Sequence, residues 1–223
     1  MLLELFSGTG SVGRPFRDNG WKVVSVDLDG RYDPEIQIDI LEWDYTECST
    51  PDVIWASPPC IMYSCARTRA QADLAQADTL VAKTLEIIRY FTELNPHLVW
   101  FVENPNTGQL RTRPIMRDLP YVVLDFCQYG APYRKRTRLW TNSAFIPKPL
   151  CRMDCAAPKH GNCHWFSAQR GSQKHKGGVR SLGFKLDELH ALPTQLCSAI
   201  FSSQSAGAIV SELLDPEISS LQQ

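Results

Sequence analysis

Residues 3 to 13, LELFSGTGSVG, place Gly8, Gly10 and Gly13 in the spacing G-x-G-x-x-G directly after an apolar run of Leu2, Leu3, Leu5 and Phe6. The run reads as a buried parallel strand, and the glycines let the backbone turn tightly against a ligand. Such a turn holds a dinucleotide, but other adenosine cofactors sit on similar turns. The spacing alone does not choose between them.

The chain beyond this turn keeps the same rhythm. Strands are expected at Met1–Phe6, Trp21–Asp27, Asp52–Ala56, His97–Val102 and Tyr121–Phe126, several of them β-branched or aromatic and closed by turn residues. Between about 70 and 94, Leu74, Ala77, Val81, Leu85, Ile88 and Phe91 recur at helical spacing until Asn95-Pro96 stops the helix. Strand alternating with helix predicts a doubly wound, mostly parallel α/β sheet. After Trp140 the periodicity fails: Pro147, Pro149, clustered Cys and His, then GSQKHKGG (171–178). Helical spacing returns after Pro193 with Leu196, Ile200, Ile209 and Leu213. The expected organisation is a catalytic domain over 1–141 and 188–223, with a small basic insertion over 142–187.

At 223 residues and 43% hydrophobic composition the chain can bury a substantial core. No apolar stretch approaches the roughly 20 residues of a membrane span, and Met1 runs straight into the first strand without room for a signal peptide. A soluble cytoplasmic protein is expected, not secreted, with its eight cysteines reduced. Charge is uneven. Residues 128 to 185 carry 12 of the 23 Lys and Arg and one acid, Asp154, so this segment is +11 and the remainder −12. A block this one-sided in an acidic chain favours a polyanionic partner over a merely solvated face.

In an open α/β sheet, ligands sit at the carboxyl ends of the strands. Asp27 ends the second strand, where its carboxylate can accept from both hydroxyls of a ribose, in NAD or in S-adenosylmethionine. Asp39 and Ile40 suit an adenine amino group and an apolar ring face. The SPPC loop, residues 57–60, stiffens the backbone ahead of Cys60 and removes two amide donors, an arrangement ill suited to strand pairing. The next strand ends in ENP, which places Glu103 on the same sheet edge. A Cys and a Glu on adjacent strand ends form a nucleophile and acid pair.

Together these segments resemble, in order over about residues 1 to 140, the S-adenosylmethionine-dependent cytosine-5 DNA methyltransferases. LELFSGTGSVG is similar to the family's F-x-G-x-G motif, PPCIMYS to P-P-C-Q-x-F-S, ENP to E-N-V, and YGAPYRKRTRLW to its arginine-rich strand. The resemblance implies S-adenosylmethionine held by Phe6, Gly8, Gly10, Asp27, Asp39, Ile40 and Pro58. It implies Cys60 as the nucleophile that adds to carbon 6 of cytosine and Glu103 as the acid at nitrogen 3. Arg136 is implied at the target base or its flank, with Arg134 as the other candidate for that role. Ser64, Asn104 and Arg138 are implied on the substrate side, with double-stranded DNA as partner and the target base flipped out. Ile61 stands where the family has Gln, Ala56-Ser57 where it has two glycines, and Leu189-His190 where the final motif has Gly-Asn.

The short region after the arginine motif resembles the compact tails of small phage-type members, with a Cys/His cluster and the stretch Ala168-Gln169-Arg170-Gly171. A segment of this size, poor in apolar residues, can scarcely order itself by burial, and a structural zinc would supply the missing folding free energy. Cys151, Cys155, Cys163 and His164 are the expected ligands, with His160 as substitute. Three other readings stand beside the DNA enzyme: an NAD-dependent dehydrogenase, against which the PPC and ENP segments speak, an RNA or tRNA cytosine methyltransferase, and a catalytically silent nucleic-acid-binding protein.

Overall fold

The computed structural model describes residues 1–64, 74–168, 173–174, 180–181 and 184–203. Within them lies a sheet of seven strands: β1 (Leu2–Leu5), β2 (Val23–Asp27), β3 (Ile36–Gln37), β4 (Val53–Ala56), β5 (Val99–Pro105), β6 (Tyr121–Asp125) and β7 (Arg136–Thr141). Their order is β3-β2-β1-β4-β5-β7-β6. The strands from β3 to β5 pair in parallel, and β7 runs antiparallel between β5 and β6. The sheet is therefore mostly parallel, as the alternating pattern predicts. The reversed strand has a local cause: β6 and β7 are joined by a tight turn at Phe126–Tyr129, capped by Gly130 at φ +89°, too short for a parallel crossover.

Alternation along each strand sorts its side chains onto two faces. Leu2, Val53, Trp55 and Phe101 pack with Phe16 of α1 (Gly13–Asp18) and with Leu196 and Ile200 of a helical run at 194–203. Leu3, Leu5, Ile54 and Ala56 pack on the other face against Ala77, Val81, Ile88 and Phe91 of α2 (Leu74–Leu94) and Met116 of α3 (Pro114–Arg117). Helix α2 ends where the Asn95 amide donates to the Phe91 carbonyl at 2.8 Å and the Asn95 side chain accepts from the His97 amide.

Beyond β7 come two short hairpins, β8 (Lys159–His160) with β9 (Cys163–His164) and β10 (Gln173–Lys174) with β11 (Arg180–Ser181), then α4 (Leu186–His190). The expected helix start before Leu74, Gln169 to Gly171 of the A-Q-R-G stretch, and Ile209 and Leu213 lie outside the described residues. No described helix is long and apolar enough to cross a membrane.

Candidate active site

The strand order reverses between β1 and β4, so the crevice at their carboxyl ends is the topological switch point where such sheets take ligands. The chain builds a cavity of about 660 Å³ there, within the range of small-molecule sites. Its floor is the glycine turn. Phe6, Gly8 and Gly10 all have positive φ, at 55°, 46° and 63°, a conformation glycine takes without strain and Phe6 does not. The Gly8 amide donates to Asp27 Oδ2 at 2.7 Å and the Asp29 amide to Asp27 Oδ1 at 2.8 Å, so Asp27 clamps the turn of β1 to the end of β2. Gly13 is required by proximity: a Cβ there would lie 2.5 Å from Glu4 Oε2.

The cavity walls include Phe6, Gly8, Asp27, Asp39, Ile40 and Pro58 of the expected cofactor set. Gly10 shapes the turn without lining the cavity. Glu4 lines it too, from within β1; burial raises its carboxyl to about 7, against the opposing pull of Arg17 and the Gly13 amide.

At the other end the same cavity reaches Cys60, Glu103 and Lys135. Cys60 precedes a single helical turn, Ile61–Tyr63, whose Tyr63 hydroxyl donates to Asp78 at 2.8 Å; Asp78 in turn takes a two-pronged pair from Arg113. Asn104, fully buried, donates from Nδ2 to the Pro58 carbonyl at 3.0 Å and ties the nucleophile loop to β5. Glu103 is 6% exposed, and its Oε1 has no hydrogen-bond partner among the described residues. Lys135 Nζ lies 3.9 Å away, near enough to attract and too far to bond. Burial raises the Glu103 carboxyl, with Lys135 opposing. Burial and the Glu103 charge raise the Cys60 thiol, again with Lys135 opposing.

The arginines fall elsewhere. Arg136 makes a two-pronged pair with the buried Asp125, at 2.9 and 2.8 Å. Arg138 bonds Asn106 and lies over the Tyr121 ring, 3.7 Å from its centre. The cationic side chain at the Cys60 and Glu103 end of the cavity is Lys135, which is masked in the sequence by an unbroken run of basic residues; Arg31 lines the cavity too. Ser64 ends the described part of its loop and does not line the cavity. The far wall comes from Leu186, Asp187, His190 and Leu192, with His190 from the segment similar to the family's final motif. The Tyr32 hydroxyl donates to Asp187, the Leu192 amide donates to Ser11 Oγ at 3.0 Å, and Lys135 donates to the Leu189 carbonyl at 3.1 Å.

The Cys/His cluster requires a correction. Cys151, Cys155 and His164 converge with Cys127, all four buried and with ligand atoms within 4.8 Å of one another. Cys163 is exposed. It neighbours His164 in β9, and adjacent strand residues point to opposite faces, which directs Cys163 away from the centre that His164 faces. Burial and the nearby Arg134 and Lys159 charges hold the His164 imidazole below its ordinary value.

No protein-family model matches the chain. A solved methyltransferase of Entamoeba histolytica aligns with TM-score 0.45 and 13% identity, over 67% of this chain and 55% of that one. The chain is 35% identical over 205 residues to a probable DNA (cytosine-5)-methyltransferase of Frog virus 3 (isolate Goorha), covering 83% of this chain and 94% of the relative. A relative matched over nearly its whole length at that identity, together with a sheet that gathers a Cys and a buried Glu at its switch point, identifies the lineage: this chain belongs to the DNA (cytosine-5)-methyltransferase family.

Proposed function

We propose that the protein transfers a methyl group from S-adenosylmethionine to carbon 5 of a cytosine flipped out of double-stranded DNA. The observation that carries this reading is the cavity shared by Cys60 and a buried Glu103 whose Oε1 lacks a partner among the described residues. An unpaired polar atom in a buried site is costly unless a ligand completes it.

The switch-point cavity fits the methyl donor. Asp27 has lone pairs left for ribose hydroxyls after accepting from Gly8 and Asp29, Asp39 and Ile40 suit the adenine, and Phe6, Gly8 and Pro58 form the adjoining wall. Bound there, S-adenosylmethionine supplies an electrophilic methyl group.

Carbon 5 of cytosine is too weak a nucleophile unaided, and the protein's part is to activate it. The Cys60 thiolate adds to carbon 6 while Glu103, whose carboxyl burial raises, hydrogen-bonds nitrogen 3 and in its protonated form gives it a proton. The ring electrons are thereby directed to carbon 5. Once carbon 5 is methylated, its proton leaves to solvent, the C6–S bond breaks, Cys60 departs as thiolate, and nitrogen 3 returns its proton to Glu103. Lys135 favours the charged form of Cys60 and takes the cationic place first expected of Arg136. Asn104 fixes the loop that presents the thiol. Arg136 and Arg138 brace β7, and Ser64 remains a candidate for the substrate phosphate.

The catalytic unit comprises 1–141 and 188–223, and the basic insertion 142–187 recognises the DNA. Action on DNA goes with a site of work inside the cell. The test is substitution and trapping. Cys60→Ser should lose methyl transfer while retaining cofactor binding, and duplex DNA carrying 5-fluorocytosine should trap a covalent adduct, because fluorine blocks the final proton loss. Normal turnover by the serine variant would overturn covalent catalysis; labelled methyl appearing on tRNA and not on duplex DNA would overturn the substrate.

A further inference from the structure

We propose that Cys127, Cys151, Cys155 and His164 hold one structural zinc ion that fastens the basic segment after β7 to the sheet. These residues arrive from three places in the chain. Cys127 lies in the turn after β6, Cys151 and Cys155 in the loop after β7, and His164 in the hairpin strand β9. Their ligand atoms all fall within 4.8 Å of one another, with His164 Nε2 3.7 Å from Cys151 Sγ and 3.2 Å from Cys155 Sγ. A tetrahedral zinc with bonds of about 2.3 Å to sulfur and 2.0 Å to nitrogen sets those edges at about 3.5 Å. The two observed distances straddle that value.

Ordinary core packing does not account for the group. Cys127, Cys151 and Cys155 form a cluster of their own with Ala157, separate from the two apolar cores on the faces of the sheet. Three thiols grouped with Ala157 and apart from the two apolar cores have little to gain from burial alone. Three soft thiolates with one imidazole at tetrahedral spacing form a zinc donor set. Three residues separate Cys151 from Cys155, within the usual ligand spacing. The turn between them is shaped around the sulfur: the Met153 amide donates to Cys151 Sγ at 3.3 Å, with Met153 itself at φ +70°. Lys159 donates to the Cys155 and Ala157 carbonyls and closes the loop from outside.

The surroundings show what the ion would fasten. The Cys151 amide donates at 3.0 Å to Asp125 Oδ2, the same carboxylate that holds Arg136 of β7. Metal, β6 and β7 therefore share one buried junction, which stands whether or not the cavity binds a methyl donor.

Elemental analysis of the purified full-length protein should give about one zinc per chain. Cys127→Ser should bring the content to background, and Cys163→Ser should leave it unchanged. Replacement by cobalt in the unsubstituted protein should give the intense visible bands of a tetrahedral centre and thiolate-to-cobalt charge transfer, a reading that does not depend on the Cys127 variant folding. Protein without zinc that also takes up no cobalt in this form would overturn the proposal, as would zinc lost with Cys163→Ser and kept with Cys127→Ser.

Discussion

Two titratable side chains at the cavity make opposite demands on pH. Glu4 is 1% exposed and its carboxyl rises to about 7 on folding from an ordinary 4.5. A raised acid means that the folded state binds more protons than the unfolded state between those values, so stability falls as pH rises from 4.5 through 7 and the full penalty stands above 7. The penalty is roughly 3 kcal/mol. Glu4→Gln keeps an oxygen for the Gly13 amide and removes the charge, so its stability advantage over the parent should widen between pH 5 and pH 8 in urea unfolding of the ligand-free protein. A gap independent of pH would show that Glu4 does not titrate in this range. At the other end, Lys135 opposes the raised values of both Cys60 and Glu103. Lys135→Met should therefore move both limbs of the kcat/KM profile to higher pH, with a lower rate at neutral pH. A uniform loss with an unmoved profile would assign Lys135 to substrate contact alone.

At the scale of elements, much of the sheet was legible and its edges were not. The strands at β1, β2, β4, β5 and β6 carry apolar residues over four or more positions and were placed from the sequence within a few residues of their ends. Strand β3 has two residues, Ile36 and Gln37, and too little pattern to read. Strand β7 was recognisable only through the arginine motif, because Arg136, Thr137 and Arg138 interrupt the apolar signal that a buried strand otherwise gives. Its direction follows from the short turn at Gly130. In the site, the Gly turn, Asp27, the Pro-Pro-Cys loop and Glu103 were legible because each lies at or close to the carboxyl end of its strand. Lys135 and Asp187 were not, whereas His190 stands where the final motif has Asn. Lys135 comes from the turn just before β7 and Asp187 from α4, so no strand-end spacing announces them. Cys127 escaped for the same reason, lying in a turn of the sheet outside the cysteine-rich stretch it meets.

Charge divides the whole molecule as sharply as sequence order does, with +11 over residues 128 to 185 and −12 over the rest. If about four to six of the basic side chains contact phosphates, log affinity for duplex DNA should fall with log salt at a slope near −0.9 per contact. Neutralising Lys174, in β10, and Lys176, outside the described residues, should make the slope shallower; an unchanged slope would place both away from the nucleic acid. The far wall of the cavity sets a different condition, one of time. Glu4 and Gly8 lie toward one end of the described chain, and Leu186, Asp187, His190 and Leu192, which close the same space, lie toward the other. The switch-point crevice stays open on that side until the segment after the basic insertion has folded back onto the sheet. A chain broken within the basic insertion would lose in one stroke the wall that completes its pocket and the Leu196 and Ile200 side chains that cover one face of its sheet.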